Sequence, residues 1–113
     1  MLIAIVQIPG LERSEEDAIR AARTSAPTYT QLPGLMSKYY LNGENGGGGV
    51  YFWASREEAD AWYNADWADM IERRFGARPT LTYYENYVVL DNVSNELRVN
   101  GVAEPLGAPK APA

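Results

Sequence analysis

Lys38 stands inside an aromatic and aliphatic run, Leu35-Met36-Ser37-Lys38-Tyr39-Tyr40-Leu41, in a chain that carries eight tyrosines and three tryptophans. An amine held among apolar neighbours loses hydration, which lowers its pKa and suits it to work as a charge anchor or a base. The plainer alternative is a side chain that snorkels to a sheet edge. Strand-like runs carry Tyr40, Tyr51, Trp53 and Tyr84, and a helical run carries Trp62, Tyr63 and Trp67. Taken singly, each aromatic reads as core. As a set, so many polar tips in one small core call for a cavity. The candidate catalytic residues are therefore Lys38, Tyr40 and Trp53, with Tyr51, Trp62, Trp67 and Tyr84 as candidate substrate contacts. Glu85, among tyrosines, reads as a base or as a solvated edge carboxylate. Arg73 and Arg74 close a helix, where cations suit the dipole unless one points inward.

Composition removes several chemistries. Histidine is absent, which excludes a Ser-His-Asp triad, the usual zinc sites and a His-ligated haem. Cysteine is absent too, so there is neither a disulfide framework nor a thiol nucleophile, and a reducing cytoplasm is expected. The formal charge is -5 and the basic residues are scattered, which argues against a nucleic-acid partner. No run approaches the ~18 apolar residues of a membrane span, and Met1-Leu2-Ile3 lacks the basic start of a signal peptide. Glu15, Glu16 and Asp17 complement a helix dipole better than they make a metal site. No metal and no cofactor are expected.

The elements that must position these residues follow in order. Residues 2–8 read as a buried strand with two apolar faces, so helices and a partner subunit are both needed to cover it. Ser14 opens a helix that Pro27 ends near Ala26. Strands over 35–41 and 50–53 flank a long glycine-rich loop. That loop lacks the following helix and the Lys-Ser/Thr pair of a phosphate cradle. Strand parity groups Lys38 with Met36 and Tyr40, and Tyr51 with Trp53, while the long loop leaves the register open. Ser55 to Glu58 is a capping box for a helix reaching Phe75 and Gly76, long enough to break near Asn64 and Asp66. A strand over 79–90 follows, then a short one over 96–99, and disorder is expected over 104–113. Residues 1–91 form the domain and 92–113 an extension. The order β-α-β-β-α-β predicts an α+β, ferredoxin-like protomer with helices on one sheet face and a homodimer through the other.

Pro33-Gly34-Leu35 followed by Lys38, then Gly48-Gly49-Val50-Tyr51-Phe52-Trp53 and Ser55 with Ala59 and Tyr63, resemble the small dimeric α/β-barrel monooxygenases of the YdhR-like branch. The resemblance covers roughly residues 1 to 91. It implies ferredoxin-like protomers paired sheet to sheet, with a ligand cleft between each sheet and its own helices. It also implies cofactor-free oxidation of a planar aromatic or quinol, in which the deprotonated substrate supplies the electrons and the protein a dry, anion-stabilising pocket. In that chemistry Lys38 would steady a phenolate, Tyr40 and Tyr51 would position it, and the tryptophans would form an apolar wall. The lack of histidine separates this chain from haem-degrading relatives. Two other readings stand beside it. One is a non-catalytic or stress-related module that binds a small aromatic molecule. The other is a cofactor-free isomerase or decarboxylase, which needs Glu85 or Asp66 in the pocket.

Overall fold

Alternation along the first strand decides the architecture. In β1 (Leu2–Pro9) the side chains of Leu2, Ala4, Val6 and Ile8 are buried, whereas Ile3 and Ile5 on the other face are half-buried. The computed structural model describes residues 1–107 and 109. After β1 come α1 (Glu15–Tyr29), β2 (Leu35–Gly43), β3 (Gly46–Trp53), α2 (Arg56–Trp62), α3 (Ala65–Phe75) and β4 (Thr80–Glu85). Three short strands follow: β5 (Val88–Asp91), β6 (Glu96–Val99) and β7 (Val102–Glu104). Among the described residues these make a mixed α+β fold of two antiparallel sheets and three helices. The larger sheet has the order β2-β3-β1-β4 and the smaller β5-β6-β7. None of these helices is long and apolar enough to cross a membrane.

The core lies on the helix-covered face, where Tyr51 and Trp53 of β3 join the buried β1 residues under Ala59 of α2 and Trp67 and Ile71 of α3. The opposite face carries no helix, and at one end the smaller sheet meets it, where Val89 and Arg98 line a small hollow with Met36 and Phe52. Its cross-strand rows are Ser37-Phe52-Ile3-Tyr84 and Tyr39-Val50-Ile5-Thr82, with Tyr39 and Tyr84 more than half exposed.

Side-chain caps set the helix limits. Ser14, Ser55 and Asn64 each accept a hydrogen bond from the backbone N–H three residues on, at 3.1, 3.2 and 2.9 Å. Asn64 thereby starts a new helix at the expected break, and Gly76 ends it in the left-handed conformation at φ 78°.

Five local expectations are corrected. The glycines do not form a long loop: β2 runs to Gly43, β3 starts at Gly46, and Glu44-Asn45 alone make the turn. At Gly48, φ is +149° and a Cβ would run into the Val6 carbonyl oxygen, so only glycine lets the strands approach there. Helix α1 passes Pro27 and ends at Tyr29, since in the last turn the missing N–H forfeits a single bond. Met36 does not share a face with Lys38, because a bulge between Leu35 and Ser37 turns it toward Phe52. The long strand over 79–90 splits at Asn86-Tyr87 into β4 and β5, where the Asn86 N–H donates to the Met1 carbonyl at 2.8 Å. Of the stretch 104–113 expected to be disordered, Glu104 belongs to β7, and residues 108 and 110–113 lie outside the described residues.

Candidate functional site

Antiparallel pairing places Lys38 directly across from Tyr51 and Tyr40 across from Gly49, which brings all of them onto the helix-covered face. The register that parity left open therefore puts Lys38, Tyr40 and Tyr51 on one face. Lys38 lies along the sheet because β3 has no side chain beside it at Gly49, where a Cβ would stand 3.3 Å from Lys38 Cε and 3.0 Å from the Tyr51 ring. Its ammonium nitrogen sits over three aromatic faces, 3.4 Å from the Tyr29 centroid, 4.0 Å from Tyr40 and 4.8 Å from Tyr51. Ser25 Oγ and the Tyr40 hydroxyl, 3.2 Å apart, tie α1 to β2 across this group.

These residues line a cleft of about 90 Å³, partly open to solvent. Its floor is Val6, Ile8 and Gly48 of the sheet, and its roof includes Trp67, Met70 and Ile71 of α3. Burial, and after it the Arg13 guanidinium, pull Lys38 from the ordinary 10.5 down to about 7. The tyrosine faces act against that pull. Burial raises the Tyr29 and Tyr51 phenols, and the Tyr29 phenol adds to the rise of Tyr51. Both stay protonated near neutrality and remain hydrogen-bond donors. The amine, by contrast, divides between its two forms near pH 7. Such a cleft can take a proton from a weak acid and hold the resulting anion beside an ammonium.

The expected site residues divide into three places. Lys38, Tyr40, Tyr51 and Trp67 meet in the cleft. Trp53 and Trp62 line a separate hollow of about 170 Å³ with Leu32, Pro33, Glu58 and Ala61. Trp53 is 1% exposed, and its indole N–H donates to the Tyr63 hydroxyl at 3.2 Å, so it touches the first cleft only through the stacked Tyr51 ring, 6.5 Å away. The Trp62 ring edges Tyr29 at 5.7 Å, and its indole N–H is buried without a partner. Tyr84 is on the helix-free face opposite Ile3 and 55% exposed, and Tyr83 takes the inward place beside Tyr63. No Asp or Glu lines the first cleft, so Glu85 and Asp66 are not in it.

Tyr29, Arg13 and Arg74 also line the cleft. Ala18, Ala22 and Ser25 recur on one face of α1 at helical spacing, and Tyr29 follows one more step along it, a signal that the proline masks. Arg74, though exposed, is the member of the arginine pair at the end of α3 that reaches the cleft. Arg13 precedes α1, and its carbonyl accepts from Asn42 Nδ2 at 3.1 Å, which ties that segment to the end of β2. No known family matches this chain, and no curated protein matches it either.

Proposed function

We propose that this protein is a cofactor-independent monooxygenase acting on a small phenol or quinol, built as a ferredoxin-like protomer that pairs through its helix-free sheet face. Lys38, held among three tyrosines inside a cleft and half neutral near pH 7, carries this reading. The neutral amine takes the phenolic proton, and the ammonium so formed pairs with the phenolate. The electron-rich ring then reduces dioxygen: one oxygen atom stays on the ring carbon as a quinone, and the other leaves as water. A phenol and dioxygen balance a quinone and water, so no outside reductant is required. Tyr40 at the mouth and Tyr51 at the wall position the ring. The half-buried apolar rows around Ile3, Ile5, Val50 and Phe52, on a face without helices, support the homodimer, since an apolar sheet face calls for a fuller cover.

Oxygen uptake with a panel of single-ring phenols and quinols tests the reading. Turnover should fall at least tenfold in Lys38→Ala, and uptake that is absent or indifferent to this change refutes it. The cleft volume favours a second reading. About 90 Å³ is smaller than the roughly 150 Å³ cavity that admits benzene. A non-catalytic module that holds a small aromatic molecule would show ligand-dependent thermal stabilisation and no product.

A further inference from the structure

Arg13, Lys38 and Arg74 come from the segment before α1, from β2 and from the end of α3, and all three line the one cleft. Among the described residues none of them forms an ion pair, and neither do Arg23 and Arg73, but those two lie outside the cleft lining; Arg20, Arg56, Arg78 and Arg98 are paired. The cleft lining contains no carboxylate. The guanidinium carbons of Arg13 and Arg74 lie 5.9 and 5.2 Å from the same Phe75 ring centre, and Arg13 Nε is buried without a hydrogen-bond partner. A chain with formal charge -5 has acidic groups to spare, yet it leaves these three cations together and uncompensated. The half-buried charge of Lys38 and the orphaned buried donor of Arg13 cost stability, Arg74 stands exposed at the rim, and an anion supplied from outside would satisfy the two inner groups.

The geometry points to a binding site for a compact organic monocarboxylate, its oxygens taken by the Arg13 fork together with Lys38 and Arg74, and its aromatic or short apolar body lying against Tyr40 and Met70 at the mouth. A planar two-oxygen group matches a guanidinium fork, while the walls of Val6, Ile8, Ile71 and Trp67 offer little to a fully hydrated inorganic anion. Tyr40 and Met70 are 42% and 40% exposed, so a ring larger than the cleft can rest at its rim. Burial first, and then the Arg13 charge, lower the pKa of Lys38, and an anion bound between them would act against both. This inference rests on the oxygenase reading only for the location of the site and gives its substrate a charged group; binding requires no turnover.

Calorimetric titration of the full chain under nitrogen, with benzoate, its neutral isostere benzamide and inorganic phosphate as probes, tests it. Benzoate should bind at least tenfold more tightly than benzamide or phosphate. At pH 8 it should draw a proton onto Lys38, seen as a binding heat that changes with the buffer's ionisation enthalpy. Arg13→Gln and Arg74→Gln, checked for fold by circular dichroism, should each weaken benzoate several-fold and leave benzamide unchanged. Equal binding of benzoate and benzamide, phosphate competing as well as benzoate, or wild-type benzoate affinity in both variants overturns the proposal. Benzoate binding without oxygen uptake on phenols would remove the oxygenase reading alone. Turnover of neutral phenols without benzoate binding would remove this one alone.

Discussion

Replacing Lys38 by methionine should stabilise the protein at pH 6, and the gain should shrink as the pH rises. Methionine is unbranched and apolar and fits the same channel over Gly49 without a charge. In the folded protein Lys38 titrates at about 7, against an ordinary 10.5. Below pH 7 both folded and unfolded chains hold the proton, and the folded one bears the full cost of a poorly solvated ammonium. Between pH 7 and 10.5 the unfolded chain holds a proton that the folded chain has released, so the stability of the native protein rises with pH across that window. The full shift corresponds to at most about 5 kcal/mol. Lys38 is only half-buried, so solvent screening leaves roughly 1–3 kcal/mol. The three ring faces offset part of even that. The raised tyrosines, Tyr29, Tyr51 and Tyr63 in the core, act only above pH 10 and leave this window clear. Urea unfolding of both proteins at pH 6, 7, 8 and 9 reads the effect directly. The variant should be the more stable by about 1–3 kcal/mol at pH 6, with the difference falling by pH 9. A difference independent of pH, or a wild type that is the more stable at pH 6, refutes the picture of an uncompensated ammonium.

Three further outcomes are expected. Gly49→Ala should cost about 1–3 kcal/mol in urea unfolding, because its Cβ would meet the Tyr51 ring at 3.0 Å and the Tyr39 carbonyl at 3.2 Å; a neutral result would mean that the cleft floor yields easily. Tyr63→Phe should cost about 1–3 kcal/mol by leaving the buried Trp53 indole N–H without its acceptor, which tryptophan fluorescence on unfolding would follow. Ile5→Lys, in the middle of the helix-free face, should convert a dimer into a monomer by light scattering, and a wild type already monomeric at micromolar concentration removes the proposed interface.

Patterns local to one element were legible in the sequence. The two-faced run of β1, the Ser55 N-cap, the break at Asn64 and the C-terminal Gly76 each depend on residues within one or two turns of each other, and the structure has all of them, with Glu58 accepting from the Ser55 hydroxyl at 3.0 Å in place of its backbone N–H. The misplaced features are those where local rules compete with packing. Pro27 disfavours helix at Ala26, but Tyr29 one turn on packs against Tyr40, Tyr51 and Trp62 and holds the last turn in place. The glycines disfavour strand, but β1 on one side and β2 on the other supply the ladder bonds that a lone segment lacks.

The site shows the same division more sharply. Lys38 was recognisable because its anomaly, a charge inside an apolar run, is written in its immediate neighbours. Arg13 and Arg74 were not, since each has ordinary company: one sits before a helix start, the other in a last turn where a cation is expected. What sets them apart is that they share one cleft lining with Lys38 and without a carboxylate, and that grouping becomes visible only when three distant segments close over Phe75. Lys38 gains its unusual proton affinity from the same closure, because burial and Arg13 produce the shift together. The glycines complete the connection. At Gly49 a Cβ would press on Lys38, and at Gly47 it would stand 3.3 Å from Leu11 Cδ2 and 3.7 Å from Arg13 Nη2. The bare track along β3 is therefore what lets two cations lie flat on the sheet beneath the helices, and a glycine run that reads as a loop works as the floor of a charged cleft.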